Sequence, residues 1–168
     1  ATRHLLDKGC ERIAFISASL FLQYDFLRVI HEARTLGYAQ ALAEADHGAK
    51  PRVFPLDEAA SDYAETLTGL VRKHRIDGIV GLSDRTCAPV LRVLREAGIR
   101  VPEDVRVIGF DNSELAWLSY PPLSSIALPK RELGAAMVQA LVRMVEDHEQ
   151  ETDEILLMPR LVERQTSA

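Results

Sequence analysis

Apolar positions along the chain switch between two periods. Residues 1–8 predict a short helix ended by Gly9, and "RIAFIS" (12–17) predicts a strand. Leu27, Ile30, Arg34, Tyr38, Ala41, Leu42 and Ala45 recur at three- and four-residue spacing, which predicts a long helix over 23–45. "RVFPL" (52–56) reads as a weak strand, followed by a helix over 59–75 with Tyr63, Leu67, Leu70 and Val71 on one face. "DGIVGL" (77–82) is a continuous apolar run, as a buried strand requires. Ser83 or Asp84 caps the next helix, which carries Val90, Leu91, Val93 and Leu94 and ends at Gly98. "VRVIGF" (105–110) is the next strand, and 111–129, with Pro121, Pro122 and Pro129, reads as loop-rich. A helix over 131–147 presents Leu133, Met137, Leu141 and Met144, and two extended segments, 154–159 and 160–164, close the chain.

Strands that alternate with helices of this length make parallel βαβ units. The expected fold class is α/β, a doubly wound and mainly parallel sheet with helices on both faces. No internal repeat or low-complexity segment interrupts it, and the acidic stretch 146–154 reads as a solvated connection.

Composition narrows the function. The chain has 168 residues, 47% apolar and 27% charged, enough for one packed core. Its net charge of −5 argues against a chain that grips nucleic acid by itself, because phosphate neutralisation needs excess cations. Cys10 and Cys87 form no C-x-x-C pair and read as free thiols in a reducing compartment. No run approaches the ~20 apolar residues of a membrane helix. "ATRHLLDKGC" lacks the apolar core of a signal peptide, so the expected location is cytoplasmic.

Polar groups gather where strands end. Ligands in open α/β sheets bind beyond the carboxyl ends of the strands. Strand 12–17 ends at Ser17, strand 77–82 runs into Ser83 and Asp84, and strand 105–110 runs into Asp111 and Asn112. Singly, each has a plainer reading as a helix cap or a turn. Together they outline one edge of a cleft. Enzyme motifs are missing: there is no G-x-G-x-x-G after a strand, no P-loop, and "GLSDR" lacks the second glycine of a nucleophile elbow. His4, His31, His47, His74 and His148 are scattered, so no metal site is expected and no catalytic residue or cofactor is assigned. The basic "RKHR" (72–75) sits at a helix end, where positive charge suits the dipole.

The ordered pieces "RHLLDKGCERIAFIS", "RTLGYAQAL", "DGIVGLSDRTCAPVLRVLREAGIRVPEDVRVIGFDN", "PPLSSIALP", "ELGAAMVQAL" and "PRLVERQTS" resemble the effector-binding core of the lactose/galactose-repressor family of bacterial transcription regulators. The resemblance implies a periplasmic-binding-protein-like fold, two subdomains around a ligand cleft, and a homodimer. It implies a non-enzymatic sensor of a small polar effector, a sugar or related metabolite. DNA would be reached through a helix-turn-helix that precedes these residues. Residues 1–126 would form the C-terminal subdomain, 127–153 an excursion into the other subdomain, and 154–168 the return strand and tail. A periplasmic sugar-binding protein of the same fold is the alternative.

By the same resemblance, Arg34 and Asp111 are effector ligands, a fork of donors and a two-oxygen acceptor. A helix-surface ion pair for Arg34 and an Asx-turn for Asp111 are the plainer readings. Ser83, Asp84 and Asn112 complete the expected effector set, and Ser17, Glu58, Trp117 and Lys130 are candidates for the cleft or its mouth. Ser83 stands where the family commonly has Asn, and Glu58 and Lys130 stand where aromatics are found, which favours a polar or charged ligand. Val90, Leu91, Leu94 and Trp117 are candidates for the dimer interface, with core packing as the other reading of the three aliphatics. With half the cleft outside these residues, little effector affinity is expected from the chain alone. The helix over 131–147 would lack its sheet, and its apolar face predicts self-association.

Overall fold

The computed structural model describes residues 1–45, 50–146 and 154–168. His47 and His148, and most of the acidic stretch 146–154, lie outside the described residues. The first helix, α1, spans Thr2–Asp7 and leads through Gly9 (φ +84°) into β1, Ile13–Ala18. A 3-10 turn, Ser19–Leu22, precedes the long α2, Asp25–Glu44. Then follow β2 (Val53–Leu56), α3 (Tyr63–His74), β3 (Gly78–Gly81), α4 (Asp84–Glu96) and β4 (Arg106–Phe110). The chain continues through α5 (Glu114–Leu118), β5 (Ser124–Ala127), α6 (Lys130–Glu146) and β6 (Arg160–Val162).

These strands form one six-stranded sheet in the order β2-β1-β3-β4-β5-β6. All neighbours are parallel except β5 and β6. The doubly wound class expected from the pattern is therefore the observed one. Its two faces carry separate apolar clusters. One joins α3, α4 and α5 to the sheet through residues such as Leu67, Val71, Val90, Leu94 and Ala116. The other joins α1 and α2 through Leu5, Tyr38, Leu42, Phe15 and Ile108. The Tyr38 hydroxyl, buried there, donates to the Ile13 carbonyl at 2.8 Å, so the aromatic ring can be buried without orphaning its oxygen. Pro55 is tolerated in β2 because that strand is an edge.

The loop-rich segment 111–129 also holds two short elements that the pattern did not announce, α5 and β5. One expectation needs correction. Val90, Leu91 and Leu94 are not a dimer surface. All three are core, at most 4% exposed, because α4 turns its whole apolar stripe onto the sheet. Segment 154–159 is extended but unpaired, and only Arg160–Val162 joins the sheet.

The α6 helix buries none of its residues. Leu133, Met137, Val138, Leu141 and Val145 are all exposed, Met137 at 64%. A continuous apolar face of this kind drives association in water. The 168-residue chain is expected to show a sedimentation coefficient that rises with concentration, and a Met137→Glu, Leu141→Glu variant to suppress the rise. A single monomeric species at every concentration would contradict this. Among the described residues, no helix is long and apolar enough to cross a membrane.

Candidate functional site

The parallel register sets the site. Leu56 lies beside Ala18, Ile16 beside Gly81, and Val80 beside Ile108. Carried forward residue by residue, this alignment puts Leu56, Ala18, Ser83 and Asp111 at one level along the carboxyl edge of the sheet. Polar side chains just past that level therefore share one rim.

At the β4 end the backbone turns through two left-handed residues, Asp111 (φ +95°) and Asn112 (φ +45°). Asp and Asn are the non-glycine residues that best tolerate this region. The turn is tied on several sides. Asp111 N–H donates to the Ile126 carbonyl at 2.9 Å, and Asn112 N–H to Ser125 Oγ at 3.0 Å. Arg164 Nη2 donates to Asn112 Oδ1 at 2.7 Å.

Arg34 reaches this turn from α2. Its Nη2 donates to Asp111 Oδ1 at 3.3 Å, and its Nη1 donates to the Leu82 carbonyl. Its guanidinium carbon lies 4.3 Å from the centre of the Phe110 ring, a cation–π contact. Two of the five guanidinium N–H groups are engaged in this way, which leaves donors for a ligand. Asp111 likewise keeps Oδ2 free of hydrogen bonds among the described residues. A recess of about 470 Å³ borders Arg34, bounded by α1, α2 and Phe110.

Beneath the rim is a second tier. Asp84 is 1% exposed, and both of its oxygens are occupied. Ser113 donates to Oδ2 through its N–H at 2.7 Å and its hydroxyl at 3.0 Å, and the Ser125 hydroxyl donates to Oδ1 at 2.6 Å. Ser83 is also buried and accepts from Thr86 N–H at 3.2 Å, capping α4. Ser17 is fully buried against His31 Nε2 at 3.1 Å, and burial lowers the His31 pKa. These side chains hold strand ends in place.

The Asp84 web leaves no room above β4. A Cβ on Gly109 would collide with the Asp84 carboxylate and stand 3.0 Å from Leu123 Cδ2. Gly109→Ala is accordingly expected to cost about 1–3 kcal/mol of stability. A thermal melt with an unchanged midpoint would contradict that placement.

The remaining candidates are spread out. Glu58 is half-buried on the wall of a cavity at the β1 and β2 ends. Trp117 is 59% exposed on α5, and Lys130 is exposed at the start of α6. Three contributors escaped the sequence reading: Ser113, Ser125 and Arg164. "PPLSSI" carried the one visible signal, two serines inside an otherwise apolar run. Among the described residues, no group of three or more His, Cys, Asp or Glu is arranged to hold a metal ion.

Comparison with known proteins gives a consistent neighbourhood. Residues 2–167 match the family of periplasmic binding protein-like domains. The HTH-type transcriptional repressor PurR of Vibrio atlanticus is 31% identical over 168 residues, which are 99% of this chain and 48% of that protein. A transcriptional regulator CelR–cellobiose complex superposes with a TM-score of 0.78 at 29% identity, covering 99% of this chain and 50% of that one. A LacI family transcriptional regulator from Enterococcus faecium with bound ribose has a TM-score of 0.79 at 27% identity, covering 99% and 60%. The chain spans about half the length of the curated relatives it matches.

Proposed function

The chain belongs to the family of periplasmic binding protein-like domains, and from that premise we propose that it is the effector-sensing part of a LacI-type transcription regulator. The observation that carries this reading is the Arg34–Asp111 pair at the sheet's carboxyl edge, with donors and an acceptor left over. A guanidinium fork beside a carboxylate suits a ligand dense in hydroxyl groups, since each hydroxyl both donates and accepts. The regulators similar to this chain, including those bound to ribose and cellobiose, support a sugar or related metabolite as effector. Arg34 and Asp111 contact it directly, with Asn112 at the edge of the contact. Asp84, Ser83 and Ser17 act through the strand ends they hold.

Residues 1–126 form one wall of the cleft in this reading. Segment 127–153 crosses to a second subdomain, whose sheet covers the apolar face of α6, and 154–168 returns. DNA contact falls to a helix-turn-helix outside these residues, and the protein works as a cytoplasmic homodimer with Trp117 at or near the contact. Effector binding shifts the population between subdomain arrangements and so alters DNA affinity.

The test is a DNA-binding assay on the complete gene product, using sites selected from a random duplex library. A sugar panel is expected to include one member that changes DNA affinity at least tenfold, with Arg34→Ala abolishing the response but not the DNA binding. No selectable DNA site, or DNA binding that no sugar alters, would overturn the reading.

A further inference from the structure

The α2 helix has two faces that avoid charge. One carries His31, Tyr38, Ala41 and Leu42 onto the sheet. On the opposite side Phe26, Val29, Ala33, Leu36, Gln40 and Ala43 recur at alternating spacings of three and four residues, and all six are exposed, Phe26 at 70%. That alternation is the heptad spacing of a helix that pairs with another helix. A surface helix needs only one apolar stripe to hold its own fold, so the second stripe is surplus to this chain. Asp25, Arg28 and Glu32 keep to one margin of the stripe. On the other margin stand exposed Ile30 and Gly37. Beside Gly37 opens the recess of about 470 Å³ between α1 and α2, with Ala33 and Gln40 on its wall. A Cβ at Gly37 would meet nothing within 4 Å.

The stripe complements itself. Antiparallel helices related by a two-fold axis meet residue i against residue j and j against i. With the axis between residues 34 and 35, Phe26 meets the partner's Ala43, Ala33 meets the partner's Leu36, and Val29 meets the partner's Gln40, whose amide can turn outward to water. Two of these three layers set a large side chain against a small one, as close packing requires. The same register puts Glu32 beside the partner's Ala39. Moving the axis to residue 31 would instead bring Glu32 against its own copy and Phe26 against Leu36. On the other margin Ile30 comes over the partner's Gly37, so the open recess receives an apolar knob from each copy. A foreign partner gives no reason for sizes, charges and recess to agree about one two-fold axis.

We propose that α2 is an assembly surface on which two copies of this chain pair through an antiparallel, two-fold symmetric helix contact. The helix is about 30 Å long at ~1.5 Å per residue, and one such pair covers less than a standard interface, so the association depends on concentration. Trp117 lies on α5, which packs on the opposite face of the sheet. A contact near Trp117 and the α2 contact can therefore form together, and they would make a dimer of dimers.

Sedimentation velocity of the complete gene product over a concentration series tests the proposal. A species with twice as many chains as the smallest one is expected to grow with concentration. The double variant Val29→Glu, Leu36→Glu should abolish it and leave both the smallest species and the melting midpoint unchanged. Association through α6 would persist in that variant. Cross-linking reads the geometry. Cys10 and Cys87 are buried, so a short bismaleimide reports introduced thiols against the parent as background. Phe26→Cys protein mixed with Ala43→Cys protein should cross-link. Phe26→Cys alone should not, because its two copies would stand ~25 Å apart along the axis. One species at every concentration, or a doubled species that survives the double variant, overturns the proposal. Cross-linking of Phe26→Cys to itself and not to Ala43→Cys overturns the antiparallel pairing.

Discussion

Replacing Asp84 with alanine is expected to lower stability by about 3 kcal/mol, because three donors converge on its buried carboxyl group and lose their acceptor together. One of those donors, the Ser125 hydroxyl, would remain fully buried without its acceptor, and the half-buried Ser113 would lose both of its bonds to the carboxylate. In a domain of this size the melting midpoint should fall by on the order of 10 °C. Asp84→Asn is the informative companion. It keeps the shape but turns an NH₂ group toward donors, so it should also destabilise, by about 1–3 kcal/mol. Thermal denaturation followed by circular dichroism reads both variants. A midpoint within a degree of the parent for Asp84→Ala would mean that the web does not hold the β4 and β5 ends.

The second large effect is on affinity. Arg34→Ala removes the side chain that joins the Leu82 carbonyl, the Phe110 ring and Asp111. It also strips charge-assisted donors from the rim. Losses of about 2–5 kcal/mol are usual when one partner of such a set is truncated. Effector affinity in the complete gene product should therefore fall by ~30-fold or more, since each 1.4 kcal/mol is tenfold. Arg34→Lys should recover little of it, because an ammonium on a flexible stem cannot reproduce the planar fork. Restored binding in Arg34→Lys would mean that charge alone matters at this position.

The sheet and its flanking helices were legible in the sequence because buried parallel strands are near-continuous apolar runs and the helices keep a clear stripe. Asp111 was legible for the same reason: it interrupts such a run at its end. β5 was not, since a four-residue strand with two serines shows neither strand period nor strand hydrophobicity. Those serines are buried only because distant residues satisfy them. Arg164 N–H donates to Ser124 Oγ at 2.8 Å, Thr166 Oγ1 accepts from Ser124 N–H at 2.8 Å, and Asp84 takes the Ser125 hydroxyl. These contacts are about 40 residues away in the chain, so no local window contains them. α4 illustrates a different limit. Its stripe of Val90, Leu91 and Leu94 announces that something apolar covers it, and only the packed sheet reveals that the cover is the core. Asp84 was recognised as important, but a cap, a ligand contact and a buried tie use the same residue type in the same place.

The claim on which the rest depends is that Asp111 holds the effector. Its left-handed backbone makes asparagine the appropriate replacement, since Asn accepts that conformation and removes only the charge and one acceptor oxygen. Calorimetric titration of the complete gene product and of Asp111→Asn, each with the best-bound sugar of the panel, compares them directly. The expected result is at least tenfold weaker binding in Asp111→Asn with an unchanged melting temperature. Equal affinity in the two proteins would contradict the assignment.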